Sequence, residues 1–168
     1  MTTWHTFTDA APDLADRARS IIGSTTNCVL GTIRKDGAPR LSGIDPFFVD
    51  GELYIGSMDG ARKAHDLRRD PRMALHGIPW ESRRVKEDAP DPGDADAKLT
   101  GRAVPITDQA DIDRVMASFK EERGFEPPEG GDLFRIEPET VVLVFVEDDQ
   151  LVIDRWSQTD GRNTSRRS

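Results

Sequence analysis

Turn signals crowd the stretch from residue 35 to residue 51: Lys35-Asp36-Gly37, Asp45-Pro46 and Asp50-Gly51. Between and beside them lie runs too short for helices, at 27–33, 39–44, 47–49 and 53–57. Asp-Gly supplies the positive φ that tight hairpins need, and Pro46 breaks or bulges the strand before it. This spacing predicts a meander of short antiparallel strands. Further strand character returns at 73–77, 98–105, 133–136, 140–146 and 151–156. Three helices are expected among them. The first covers 9–22, capped by Thr8 or Asp9 and ended by Gly23, with Leu14, Ala18, Ile21 and Ile22 on one face. The second covers 61–69, and the third runs from a cap at Thr107 or Asp108 to about residue 122. No G-x-G-x-x-G follows a strand, and strands and helices do not alternate, so a Rossmann sheet is excluded. The pattern is α+β, a small antiparallel barrel with a few short helices in a single domain over 1–168.

Two segments fall outside this pattern. Residues 81–96 are acidic, rich in Pro and Gly and without periodicity, and read as a solvated, mobile loop. The polar tail 158–168 is expected to fray.

Charge and cysteine content narrow the function. The net charge of −8 opposes general affinity for nucleic acid, yet allows a local cationic pocket for a small anion. No apolar run is long enough to span a membrane, and Met1-Thr2-Thr3-Trp4-His5 does not open a signal region, so the expected location is the cytoplasm. A single cysteine, Cys28, cannot form an internal disulfide and sits in an apolar run, as an inert buried thiol would. His5, His65 and His76 lack metal-ligand spacing, residues 87–96 lack the pattern of a calcium loop, and no nucleophile elbow is present. Trp4, Phe7 and Trp156 suit either the core or a contact between subunits.

The most informative segment is "LYIGSMDGARKAHDLRRDPRMALHGIPW", residues 53–80. Gly56 and Ser57 end a strand, Gly60 permits a tight approach, and Arg62 and Lys63 open a helix. Cations in a first helical turn oppose the helix dipole, which costs stability unless an anion is bound there. Arg62 can fork two oxygens while Lys63 adds a point charge. A solvated Arg-Lys pair is the plain alternative.

This segment, with "VLGTIRKDGAPRLSGI" upstream of it, resembles the signature of the pyridoxamine 5′-phosphate oxidase-like superfamily. The likeness is strongest at Ala61-Arg62-Lys63-Ala64-His65 and Asp70-Pro71-Arg72, and Gly37-Ala38-Pro39-Arg40 is similar to the family's first hairpin. The resemblance implies an FMN-binding split β-barrel that forms homodimers, each site lying between two chains. It implies that Arg62 and Lys63 contact the cofactor phosphate, with Arg40 or its neighbour from the second strand. It places Gly56 and Ser57 beside the ribityl chain, and Leu41, Ser42, Gly43 and Ile44 along the isoalloxazine ring. Lys98 takes roughly the place of a polar ring contact, and Trp156 that of an aromatic closing the site from a second subunit. The deazaflavin coenzyme F-420 also offers a phosphate, so the motif does not choose between it and FMN.

The sequence departs from the family in two places. Asp154-Arg155-Trp156-Ser157-Gln158 stands where true pyridoxamine-phosphate oxidases carry Arg-Leu-His-Asp-Arg, which speaks against pyridoxal phosphate synthesis. Asp45-Pro46 stands where the family has a strand lysine near the ring. The resulting expectation is an oxidoreductase acting on a small organic substrate, in which the cofactor carries the chemistry and the protein supplies position and electrostatics. The alternatives are a protein that binds or stores the cofactor without turnover, and a cofactor-free interaction domain.

Overall fold

A computed structural model describes residues 2–24, 27–77, 95–124 and 130–168. The helix expected over 9–22 starts earlier and is interrupted. Helix α1 is Trp4–Ala10 and α2 is Pro12–Ser24. Thr3, rather than Thr8 or Asp9, caps α1 through a reciprocal bond with Thr6. The interruption comes from Pro12, because a proline drives the residue before it out of the α region. Ala11 accordingly sits at φ −152°, ψ 69°. Pro12 itself loses nothing at the first position of α2, where its missing N–H would have had no partner.

Strand β1, Cys28–Ile33, pairs antiparallel with β2, Pro39–Ile44, in a register running from Cys28↔Ile44 to Ile33↔Pro39. A second hairpin joins β3, Pro46–Val49, to β4, Glu52–Ser57. Its turn residues Asp50 and Gly51 have φ of 51° and 81°, as a two-residue turn between twisted strands requires. Helix α3, Arg62–Arg69, leads to β5, Arg72–Gly77, and then to β6, Asp96–Pro105. Helix α4, Gln109–Arg123, is capped by Asp108. Strands β7 (Asp132–Glu147), β8 (Gln150–Ser157) and β9 (Gly161–Arg167) complete the chain.

The ladders are all antiparallel, in the order β2-β1-β5-β6-β7-β4-β3, with β8 on β7 and β9 on β8. β4 comes back against β2 without a ladder between them, so the barrel closes across a seam. The split-barrel expectation holds: the chain is α+β, an antiparallel barrel with short helices.

Two strand expectations need correction. The runs at 133–136 and 140–146 are one strand, β7, because Glu137-Pro138-Glu139 forms a bulge and not a break. The register against β6 shifts there, from Gly101↔Pro138 to Thr100↔Thr140, leaving Glu139 as the extra residue. A Cβ on Gly101 would lie 2.2 Å from the Glu137 carbonyl oxygen, so glycine is what admits the bulge. The bend lets the start of β7 pair with β4 while its end pairs with β8.

The tail does not fray. β9 pairs with β8 from Ser157↔Gly161 to Leu151↔Arg167. Every residue of β9 is exposed, so no apolar alternation announces it. Ionic contacts hold it instead: Arg162 reaches Asp154 (3.1 and 2.8 Å) and Asp13 (2.6 and 2.8 Å), and Thr164 adds a bond to Asp154 of 3.1 Å. Of the acidic segment 81–96, residues up to 94 lie outside the described part. Its last two residues are not a solvated loop, for Ala95 is buried and Asp96 opens β6.

The main core collects Trp4, Phe7, Leu14, Ile21, Leu30, Leu53, Ile55, Leu67, Phe134 and Trp156. Trp4 meets Phe7 and Phe48 edge-on, and Phe7 lies against Trp156 with centroids 4.8 Å apart. These rings therefore pack within one chain. A smaller cluster of Phe47, Tyr54, Val115 and Leu133 sits under α4. Among the described residues no helix is long and apolar enough to cross a membrane.

Candidate functional site

Helix α3 starts without the devices that stabilise the other helix starts. Its N-cap residue, Ala61, has no side chain to accept a hydrogen bond, and no acid occupies the first turn. α1 has its Thr3 box and α4 has Asp108. Two cations instead open α3, at the positive end of its dipole. Successive helical residues point about 100° apart, so the two side chains diverge. Arg62 is exposed and borders an open cleft of about 580 Å³. Lys63 turns to β2, where its Nζ donates to the Gly43 carbonyl at 2.8 Å. Burial pulls the Lys63 ammonium below its ordinary pKa, against the opposing charge of Asp45.

The cleft is lined by Arg34, Lys35, Asp36, Arg40, Arg62 and Asp66, four cations against two carboxylates in a chain of net charge −8. Arg34 and Lys35 come from the β1–β2 turn, Arg40 from β2, and Arg62 and Asp66 from α3. Arg34, Lys35 and Arg62 have no side-chain hydrogen bond or ion pair among the described residues. Arg40 is different, for its Nε donates to Asp66 Oδ2 at 2.6 Å. Asp66 also accepts from Thr32 Oγ1 at 3.0 Å and from Arg69 at 3.4 Å. Burial raises the pKa of this carboxyl, yet the bonds from Arg40 and Thr32 outweigh burial and leave it below the ordinary range. α3 is further tied to the barrel by Arg68 on Asp132 (2.9 Å) and by Arg69 on the Ile33 carbonyl. An anion in the cleft would thus meet one held cation, Arg40, with Arg34, Lys35 and Arg62 exposed around it.

The other residues singled out from sequence fall at varied distances from this frame. Leu41 and Gly43 point outward from β2, Leu41 at 75% exposure and Gly43 with open space where a Cβ would stand. Ser42 is half-buried between them, and Ile44 points into the core. Gly56 also faces open space, and the Ser57 hydroxyl donates to the Met58 carbonyl, at 3.4 Å. Lys98 stands on the outer face of β6, opposite His76 and away from the cleft lining. Its Nζ pairs with Asp96 at 2.9 Å, and Asp96 also takes His76 Nε2 at 2.6 Å. Trp156 must be corrected: it is 4% exposed, packed against Phe7, so its ring fills its own core and does not reach outward to close a site. β8 turns position 156 inward, and α1 covers it.

Sequence reasoning missed Asp66, Thr32 and Arg34, and used Lys35 and Asp36 only as turn residues. Asp66 had one available signal, its spacing four residues after Arg62, which puts both on one face of α3. Cys28 is buried, and burial foremost, with the charge of Asp45, pushes its thiol up to about 12, which fits an inert role. Among the described residues no cluster of His, Cys, Asp and Glu could hold a metal ion.

Solved structures share this fold at low identity. PhzG from Burkholderia lata 383, determined with tetrahydrophenazine-1-carboxylic acid, superposes with a TM-score of 0.57 at 16% identity, over 98% of this chain and 91% of its own. HutZ, the heme storage protein of Vibrio cholerae, gives 0.56 at 18% identity, over 77% of this chain and 90% of its own. A heme binding protein from Mycobacterium smegmatis gives 0.58 at 16%, over 91% of this chain and 57% of its own. No curated protein sequence matches the chain. The family model for pyridoxamine 5′-phosphate oxidase matches residues 14–145, a span holding the barrel up to β7, helix α3 and the cationic cleft, and the chain belongs to that family.

Proposed function

We propose that this protein binds FMN, or alternatively F-420, and is an oxidoreductase for a small organic substrate, working as a cytoplasmic homodimer. The single observation carrying this reading is the uncapped, basic start of α3 beside a cleft that also holds Arg40. Such a frame suits a dianionic phosphate, because Arg62 can approach from the helix and Arg40 from β2. Lys63, held on the Gly43 carbonyl, would add charge from the seam. The outward, open surface at Leu41 and Gly43 offers a flat bed along which a ring system can lie, and Gly56 leaves room beside it. The bound group would supply hydride exchange; the chain's residues would grip the phosphate, orient the ring and limit its access to water.

A reading as a binding or storage protein without turnover shares this site, and it is favoured by the absence from 154–158 of the family's substrate motif. Titration with FMN, F-420 and phosphate-free riboflavin tests the phosphate frame. Removing a charge-assisted phosphate contact costs about 1.5–3 kcal/mol, so Arg62→Gln should weaken FMN binding by roughly 10- to 150-fold and leave riboflavin unchanged. Unchanged FMN affinity in the Arg62→Gln, Lys63→Gln double variant would defeat the reading. The absorption spectrum of protein from its native host separates flavin, deazaflavin and heme. Reduction of the bound cofactor and its reoxidation by a substrate panel then separates an enzyme from a store.

A further inference from the structure

We propose that Asp66 is a positioning residue for the anion site: it holds Arg40 by Nε so that the arginine's terminal nitrogens face the cleft beside Arg62. The inference rests on the phosphate reading above and adds a residue to it. Arg40 is a long side chain with roughly 2 kcal/mol of rotamer freedom when unrestrained. Here one of its donors is fixed on Asp66 Oδ2 at 2.6 Å. A guanidinium is planar, so fixing Nε sets the direction of the two terminal nitrogens, and these have no other partner among the described residues. They remain free to fork two oxygens of one phosphate.

Asp66 is suited to this task for three reasons. It is 3% exposed, so it cannot swing to solvent. It is itself held by Thr32 Oγ1 at 3.0 Å and Arg69 at 3.4 Å, which fixes it to β1 as well as to α3. It follows Arg62 by four residues, one helical turn, so the helix face that presents Arg62 also presents the carboxylate that collects Arg40. α3 thereby sets the spacing between two cations that arrive from different elements. A bare carboxylate beside an anion site would repel the ligand. Three donors on this one offset that repulsion before any ligand arrives.

The plain alternative is that Asp66 only staples α3 to the β1–β2 hairpin. Binding of FMN and of riboflavin to Asp66→Asn, Arg40→Gln and the double variant separates the two, with F-420 and its phosphate-free deazaflavin as a second ligand pair. Positioning predicts that Asp66→Asn weakens FMN about tenfold, the low end for a charge-assisted bond, with riboflavin unmoved. It also predicts that Asp66→Asn has under twofold further effect once Arg40 is gone. A loss shared equally by FMN and riboflavin, or independent losses that multiply in the double variant, would overturn the proposal. Thr32→Val is the second route should Asp66→Asn fail to fold. It removes one donor from Asp66 while keeping side-chain shape, and the expected result is a few-fold loss confined to FMN; no loss, or an equal loss for riboflavin, counts against positioning. If the unaltered protein binds neither phosphorylated ligand better than its phosphate-free form, the phosphate reading falls and this inference with it. If the preference is present and survives in Asp66→Asn, only the positioning role falls.

Discussion

The tail offers the sharpest quantitative test of how this chain is held together. Arg162→Met keeps much of the aliphatic stem and removes the guanidinium that bonds Asp154 twice, at 3.1 and 2.8 Å. Asp154 is left with Thr164 alone among its β9 partners. Breaking a fully buried ion pair by deleting one partner costs about 3–5 kcal/mol, because the remaining charge loses its compensation. Asp154 has a 7% exposed side chain, but Arg162 is 35% exposed, so water will reach part of the vacated space. Screening brings the expected loss to about 2–3 kcal/mol. The second contact, to Asp13, adds little because that carboxylate is 69% exposed. In a chain of this size the loss corresponds to a fall of about 5–10 °C in melting temperature. Urea titration and a calorimetric melt both read it, with Asp13→Ala as a control expected to cost under about 1 kcal/mol. A loss below about 0.5 kcal/mol for Arg162→Met, the level of an ordinary surface change, would refute the claim that ionic contacts hold the tail.

Two further outcomes follow from the packing. Gly101→Ala forces a Cβ to 2.2 Å from the Glu137 carbonyl and 3.0 Å from Pro138 Cα, so chemical denaturation should show a loss of about 3 kcal/mol; Gly43→Ala, which meets nothing within 4 Å, should cost under about 0.5 kcal/mol. Cys28, its thiol pushed up to about 12 chiefly by burial, should resist Ellman's reagent at pH 8 until the chain is unfolded. Its proton is held more tightly in the folded state, so its contribution is complete below the unfolded thiol's pKa of about 8.5. Above that it declines by about 1.4 kcal/mol per pH unit, and Cys28→Ala should flatten that alkaline slope.

Much of the barrel was legible because hairpins declare themselves locally. Asp50-Gly51 needs positive φ at both positions, and the chain around it has nowhere to go but back. The position of Arg62 at the helix start beside the cleft was legible for a related reason: a cation in a first helical turn is a local conflict and stands out in the sequence. Asp66 was not, since a single acid on a short basic helix looks like a solvated residue until Arg40 and Thr32 arrive from strands far away in sequence. β9 was hidden by the same kind of distance. Its residues are polar throughout, and the bond from Arg162 to Asp13 joins the two ends of the chain. Glu137-Pro138-Glu139 resembled a break because a proline within a strand is compatible with a bulge or an ending, and only the glycine on the facing strand decides. The ring of Trp156 was misplaced because α1 begins at Trp4, bringing Phe7 over the position that the family resemblance assigned to a partner.

The outermost strand also has a bearing on how crowded molecules behave. An unpaired edge of backbone donors and acceptors invites a stranger's strand to zip onto it. β9 carries Arg162, Arg166 and Arg167 within its seven residues. Two copies meeting edge to edge would have to crowd these long charged side chains, two of them already tied to Asp13, Asp154 and Glu147, before any backbone bond formed, which disfavours growth of the sheet from this edge.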